Sequence, residues 1–359
     1  MSVTVRPALA SLPVYRPGRT PEDIARELGL PAAVKLASNE APDGPLPSVA
    51  AAIAAAVPEL NRYPDFHKRA LCDAVAARHG VDPAQVTASA GSVALLGHLL
   101  AAVAGPGDEV VFAWRSFEAY PGLVTVSGAR PVRVSLEDFH HDLVGLAAAV
   151  TPATRAVIVC NPNNPTGTVV GGDLASFVDA MPPDVLVVLD EAYREYIVDP
   201  SVPDGVELAR GRDNVAVLRT FSKAYGLAGL RVGYCVSSPT FAETLRKVQL
   251  SFGVNSLAQA AALASLAPAA SAELASRVAS TVAERMRVSE ALAGLGFVVP
   301  PSQANFVYLP LGSDAADFTA ACEAQGVIVR GFPGDGVRVS IGSPADNNRF
   351  LAAARSAVG

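Results

Sequence analysis

Lys223 lies in the stretch "TFSKAYGLAGLRVG" (220–233) and is one of four lysines in a chain with 24 arginines. Arginine stays protonated at any useful pH and cannot serve as an amine nucleophile, whereas lysine lowers its pKa readily when buried or set beside another cation. The residue type therefore points to amine chemistry, in competition with an ordinary solvated lysine at a strand end. Other candidate residues also directly follow short apolar runs. Gly91-Ser92-Val93 comes after "VTAS" and opens a helical stretch. A glycine there allows a tight turn and close approach of an anion, and the free N–H groups with the helix dipole favour a phosphate. On its own, that signal is equally an N-cap. "NPNNPTG" (161–167) follows "RAVIVC", and its two Asn-Pro steps make a rigid loop that can hold an amide, such as that of Asn164, toward a ligand. Asp190 ends "VLVVLD", where a buried carboxylate needs a cation or strong donor opposite it. Tyr193 lies three residues on, close enough to share that cavity. Ser222 precedes Lys223, and Arg231 follows eight residues later.

These residues need a scaffold that gathers them. From 86 to 236 seven short, β-branched apolar runs recur: "VTAS", "EVVFAW", "PVRVS", "RAVIVC", "VLVVLD", "VAVLRT" and "RVGYCV". Most are separated by stretches long enough for a helix, such as "SVALLGHLLAAVAG" (92–105). Runs apolar on both faces and separated by helices predict a mainly parallel, seven-stranded sheet covered on both sides, an α/β domain. Ligands of such sheets sit beyond the carboxyl ends of the strands, where the candidate residues fall. Phosphate donors, a carboxylate, an amide, a phenol and an amine at one sheet edge are what pyridoxal 5′-phosphate would use. Agreement among independent motifs favours the reactive-amine reading of Lys223.

Beyond about 238 the pattern changes to Ala-rich helical segments, 257–270 and 272–295, then short strands at "NFVYLP", "VIVR" and "GVRVSI" and a last helix near 346–357. The expected organisation is a large domain over 31–250, a smaller α+β domain over 251–359, and a Pro-rich segment over 1–30, extended on the surface and packing with the smaller domain. A net charge of −6 with 17% charged residues leaves no basic surplus for nucleic acid or an anionic membrane, so small-molecule partners are expected. Neither a secretion signal nor a membrane-length apolar window is visible, which points to a cytoplasmic enzyme. The cysteines, Cys72, Cys160, Cys235 and Cys322, form no C-x-x-C pair, and Cys160 reads as a buried filler. His140 and His141 read as surface residues, and no metal site is indicated.

With those residues assembled, the chain resembles a fold-type I pyridoxal-phosphate aminotransferase over nearly its whole length. The resemblance runs from "KLASNEAPDGPLP" (35–47) and "NRYPD" (61–65) through "NPNNPTG", "DEAY" and "FSKAYGLAGLRVG" to "GVRVSIG" (336–342). This combination resembles the histidinol-phosphate aminotransferase branch. Within it, "VVFAWRSFEAYP" and "PPSQANFVYLPLGS" look most like the actinobacterial aromatic amino acid (phenylalanine) aminotransferases. The resemblance implies that Lys223 bonds the cofactor covalently and carries a proton between substrate and cofactor carbons. It implies that Asp190 keeps the pyridinium nitrogen protonated and that Asn164 and Tyr193 hydrogen-bond the ring oxygen. Gly91, Ser92, Val93, Ser222 and Arg231 would bind the phosphate, and Phe117 would stack on the ring. Tyr63 would reach the phosphate of a neighbouring subunit, making a homodimer with shared active sites. Arg338 would clamp the substrate α-carboxylate, a bidentate task that suits arginine. Arg330 would help on the distal side.

The expected reaction is transamination of Phe, Tyr or Trp with 2-oxoglutarate, so amino acids and 2-oxo acids are the expected substrates. Histidinol phosphate is the alternative. Where relatives carry "NENPYGP" this chain has "NEAPDGP". If that loop covers the distal end of the substrate, the Asp43 carboxylate would disfavour a phosphate dianion by roughly a few kcal/mol at an effective dielectric of ~20.

Overall fold

The computed structural model describes residues 3–10, 12 and 19–358. Its strands are β1 (Val34–Lys35), β2 (Val86–Ser89), β3 (Glu109–Trp114), β4 (Arg130–Glu137), β5 (His140–His141), β6 (Thr154–Cys160), β7 (Leu186–Asp190), β8 (Val215–Thr220), β9 (Gly233–Val236), β10 (Phe306–Leu309), β11 (Val327–Ile328), β12 (Arg330–Phe332) and β13 (Gly336–Ser340). The central sheet runs in the order β2-β9-β8-β7-β6-β3-β4-β5. Strands β8, β7, β6, β3 and β4 are mutually parallel. Strands β9 and β5 pair antiparallel with their neighbours.

The central strands are apolar throughout because both their faces are covered. Successive side chains point to opposite faces of a strand. Val157, Val159, Val187, Leu189, Val215 and Val217 accordingly enter one core, while the alternate residues Ala156, Ile158, Leu186, Val188, Ala216 and Leu218 enter another. Helix Ser92–Val103 lends Leu95, Leu96, Leu99 and Leu100 to the second core, which fixes its N-terminus at the sheet edge where the candidate residues lie.

A third core brings together Val34, Leu36, Val288, Leu292, Val307, Phe318, Val337 and Phe350. It lies on the antiparallel β10-β13-β12 sheet and on the parallel pair β1-β11. A segment near the start of the chain is therefore woven into a unit built mostly from its end.

Seven strands of the central sheet are those read from the sequence. The eighth, β5, is a two-residue return of β4. His141 there is buried rather than on the surface, with Nε2 3.1 Å from Asn163 Oδ1, and burial pushes its pKa down to about 4. The opening residues that are described are not simply extended, and the remainder of 1–18 lies outside the described residues. Thr20 caps a helix over Pro21–Leu28, and Ile24 buries against Ala37 and Ile328. Arg6 donates to the carbonyl of Val126 on the helix Ala119–Ser127. The alanine-rich stretch divides at Ala267, giving helices Ser256–Leu266 and Pro268–Gly294, because proline fits the first helical turn and disfavours helix in the residue before it. Ala258, Ala261, Ala262, Ala270 and Leu274 pack into the first core, so that stretch is shared with the large sheet.

Candidate active site

Strands β6 and β7 end level with one another, Cys160 opposite Asp190, and β8 runs two residues beyond Leu218, the partner of Asp190. Their loops, together with the start of helix Ser92–Val103, enclose a cavity of about 140 Å³. Ser92, Val93, Phe117, Asn164, Asp190, Tyr193, Ser222, Lys223 and Arg231 all line it. Candidates far apart in the sequence thus converge.

Asp190 is buried at its floor. Oδ2 accepts a 2.7 Å hydrogen bond from the Tyr120 hydroxyl, whereas Oδ1 is buried without a hydrogen-bond partner. Desolvation raises its pKa to about 6, against the lowering effect of the Tyr120 hydrogen bond. A buried acceptor left in this state is costly unless a donor arrives.

The half-buried Lys223 ammonium donates to the Ser38 carbonyl at 3.1 Å and lies 5.7 Å from the centre of the Tyr193 ring. Loss of hydration, then the nearby Arg338 charge, push its pKa down to about 7. A substantial fraction of the amine is therefore neutral near neutral pH, as a nucleophile or general base requires. Tyr193 is buried, its hydroxyl receives the Asn39 amide at 2.9 Å, and desolvation pushes its pKa up to about 12.

Asn164 Oδ1 receives Nη1 of Arg338 at 2.6 Å, and Nη2 of Arg338 donates to the Ala37 carbonyl at 2.6 Å. Arg338 stands on β13 just outside the lining, reaching the cavity through Asn164. The asparagine loop is held by its own side chains. The Asn161 side chain donates to the Val170 carbonyl and accepts from the Val170 N–H, and the Asn163 side chain donates to Thr166 while accepting from Ser116.

At the opposite end, Arg231 donates to Ser222 Oγ at 3.3 Å and to the Ala228 carbonyl at 2.8 Å. Gly91 has φ +91°, and a Cβ there would lie 2.7 Å from Arg231 Nη2. Glycine thus permits both the backbone conformation and the close approach of the guanidinium. Exposed N–H groups at the helix start, two hydroxyls and a guanidinium make a cradle for a tetrahedral anion.

Besides Gly91 and Arg338, which reach the cavity through their neighbours, three sequence candidates lie outside the lining. Tyr63 is 82% exposed, its ring 4.6 Å from that of Phe252. Asp43 is exposed, with its backbone carbonyl beside Gly226. Arg330 pairs with Glu118. Conversely, Tyr120 and Asn39 touch the two key polar groups and were not singled out from the sequence. Tyr120 follows Phe117 at helical spacing, and Asn39 sits inside "LASNEAP", so both were within motifs already noted. Cys160 lines the cavity as a protonated, buried thiol, its pKa pushed up to about 12 by desolvation.

The model for aminotransferase class I and II matches residues 31–354. An aromatic amino acid aminotransferase of Thermobifida fusca is 58% identical over 98% of this chain and 96% of its own. One from Rhodococcus jostii is 53% identical over 99% of this chain and 96% of its own. Among solved structures, histidinol-phosphate aminotransferase from Sinorhizobium meliloti in complex with pyridoxal 5′-phosphate superposes with a TM-score of 0.90 at 32% identity, covering 100% of this chain and 98% of that one. By its matched length, its relatives and the geometry of its cavity, the chain belongs to the class I and II aminotransferases.

Proposed function

We propose that the protein is a pyridoxal 5′-phosphate-dependent aromatic amino acid aminotransferase that moves the amino group of Phe, Tyr or Trp to 2-oxoglutarate. The observation that carries the cofactor assignment is the buried, partnerless Oδ1 of Asp190 facing a cavity that also holds an amine and an anion cradle. A protonated ring nitrogen satisfies that oxygen, and the residues present fit the group. Bound there, the cofactor supplies an electron sink and a carrier for the amino group.

The chain's residues do the rest. Lys223 would hold the cofactor covalently and, once the substrate amine has displaced it, its freed amine would move a proton to and from the substrate Cα, a task matched to the pKa of about 7 of that free amine. Asp190, oriented by Tyr120, keeps the ring nitrogen charged. Tyr193 and Asn164 would donate to the ring oxygen, and Phe117 would pack against the ring. Gly91, Ser92, Val93, Ser222 and Arg231 hold the phosphate. Arg338 exchanges its neutral acceptors for the substrate carboxylate, for which its planar fork is suited.

Tyr63 belongs to an exposed aromatic group in which Phe252 meets both Tyr63 and Phe66, which supports a homodimer in which Tyr63 completes the partner's phosphate site. The separate third core supports a division into a large cofactor-binding unit and a smaller C-terminal unit. Among the described residues no helix is long and apolar enough to cross a membrane, and we place the enzyme in the cytoplasm.

The aromatic assignment draws its support from relatives of that name at 51–58% identity. The histidinol-phosphate reading is favoured only by the structural likeness at 32% identity. Side-by-side kcat/KM values for phenylalanine and histidinol phosphate decide between them, with phenylalanine expected to lead. A large preference for the phosphate overturns the assignment.

A further inference from the structure

His141, only 7% exposed on β5, is a buried titratable side chain that does not line the cavity. Its Nε2 stands 3.1 Å from Oδ1 of Asn163. The neighbours of Asn163 settle which way its amide faces: Nδ2 donates to the Thr166 hydroxyl at 2.8 Å and to the Arg115 carbonyl at 3.2 Å, so Oδ1 is the acceptor and takes the Ser116 hydroxyl at 2.8 Å. Nε2 of His141 therefore carries the proton, and Nδ1 is a lone pair buried without a hydrogen-bond partner. Protonating Nδ1 would place a charged donor with no acceptor inside the protein, and burial accordingly pushes the His141 pKa down to about 4. Near neutral pH the side chain is a neutral donor with one fixed tautomer. A second tie lies beside the first, where the Thr168 hydroxyl donates to the Phe139 carbonyl at 2.6 Å in the turn between β4 and β5. The N–H of Asn163 donates to the Thr168 carbonyl at 2.8 Å, and the N–H of Gly167 to the Asn163 carbonyl at 2.8 Å, which closes the loop on Asn163. Asn164, the next residue, lines the cavity.

We propose that His141 is a positioning residue for the active site: its donation to Asn163 fixes the asparagine loop from behind and so sets the direction of the Asn164 amide in the cavity. The inference rests on the reading of Asn164 as a donor to the ring oxygen of the cofactor. His141 acts only through Asn163, by holding in advance a group that would otherwise have to be ordered when the ligand arrives. An amide that donates to the ring oxygen stabilises its anionic form. A misdirected Asn164 would therefore raise the pH at which the bound cofactor loses its proton and changes its visible absorption.

The test follows the visible absorption of the bound cofactor as a function of pH in holoenzyme, without substrate. Asn164→Ala serves as the reference and is expected to raise the midpoint by about 1–2 pH units, the effect of one hydrogen bond to a charged group. His141→Leu removes the donor to Asn163, and His141→Asn keeps a buried amide but places its donor where Nδ1 stands. Both are expected to raise the midpoint by roughly half to one pH unit and to lower kcat/KM for phenylalanine by roughly 3–10-fold. His141→Gln, whose amide nitrogen takes the place of Nε2, is expected to return the midpoint to that of wild type. A role confined to stability would lower the melting temperature and leave the midpoint where it was. An unmoved midpoint in His141→Leu while Asn164→Ala moves it overturns the proposal, as does a Gln variant shifted as far as the Leu variant. Should the leucine variant fail to fold, the asparagine variant decides on the same criterion. If Asn164→Ala itself leaves the midpoint in place, the reading of Asn164 fails, and the role given to His141 falls with it.

Discussion

Replacing Tyr120 with phenylalanine isolates one hydrogen bond at the floor of the site. The ring would keep its edge-on contacts with Phe112 at 5.8 Å and Phe117 at 5.5 Å, so little packing is lost. What disappears is the 2.7 Å bond to Asp190 Oδ2, leaving both carboxylate oxygens of a buried residue without that donor. A hydrogen bond to a charged group contributes about 1.5–3 kcal/mol. At ~1.36 kcal/mol per pKa unit this corresponds to about 1–2 units. The pKa of Asp190 in the cofactor-free protein, about 6, would therefore rise to roughly 7–8. Pairing with a protonated ring nitrogen requires the carboxylate ionised, so cofactor affinity is lost as pH falls through the Asp190 pKa. Titrating cofactor-free protein with pyridoxal 5′-phosphate from about pH 5 to pH 9 gives the profile. The variant is expected to lose affinity about 1–2 pH units higher than wild type. Profiles that superimpose would refute the assignment of Tyr120 as the residue holding Asp190 ionised.

Lys223→Ala is expected to slow the half-reaction with phenylalanine by roughly 10²–10⁴-fold and to abolish the borohydride-stable link between cofactor and the peptide holding residue 223. A label that persists on another peptide removes Lys223 from its role. In Gly91→Ala the new methyl group meets Arg231 at a φ of +91°, which costs about 1–3 kcal/mol and weakens cofactor binding by about tenfold or more. Unchanged affinity in a spectral titration would show that the cradle does not hold the phosphate. Arg338→Lys keeps the charge but loses the planar fork, so KM for phenylalanine is expected to rise by roughly 10–100-fold with a smaller change in kcat. Steady-state kinetics showing an unaltered KM would place the substrate carboxylate elsewhere.

The central sheet was legible because a strand covered on both faces must be apolar along its whole length, a pattern that survives without any partner in view. The sheet edge at which the candidates gather was legible for a related reason. Ligands of a parallel sheet bind beyond the carboxyl ends of its strands, and the polar residues Asp190, Ser222 and Lys223 stand immediately after such apolar runs. Strand β5 was not legible, since two histidines carry no periodicity and pair only because β4 turns back at Asp138 and Phe139, both at positive φ. The burial of His141 depends on Asn163, 22 residues away, and no local pattern encodes it. Tyr120 was hidden differently, because a tyrosine on an apolar helix reads as core until its hydroxyl is seen to meet Asp190.

Strand β1 pairs with β11, nearly three hundred residues later, and the segment just after it presents the Ser38 carbonyl to Lys223 and the Asn39 amide to Tyr193. On the ribosome, this ceiling of the reaction chamber is among the first parts synthesised, yet β1 has no strand to pair with until the last hundred residues emerge. Nascent chains and C-terminal truncations are therefore expected to contain the sheet and its lysine beneath an open roof. Competence then arrives in one late step, so half-made chains do not act on the amino acids around them.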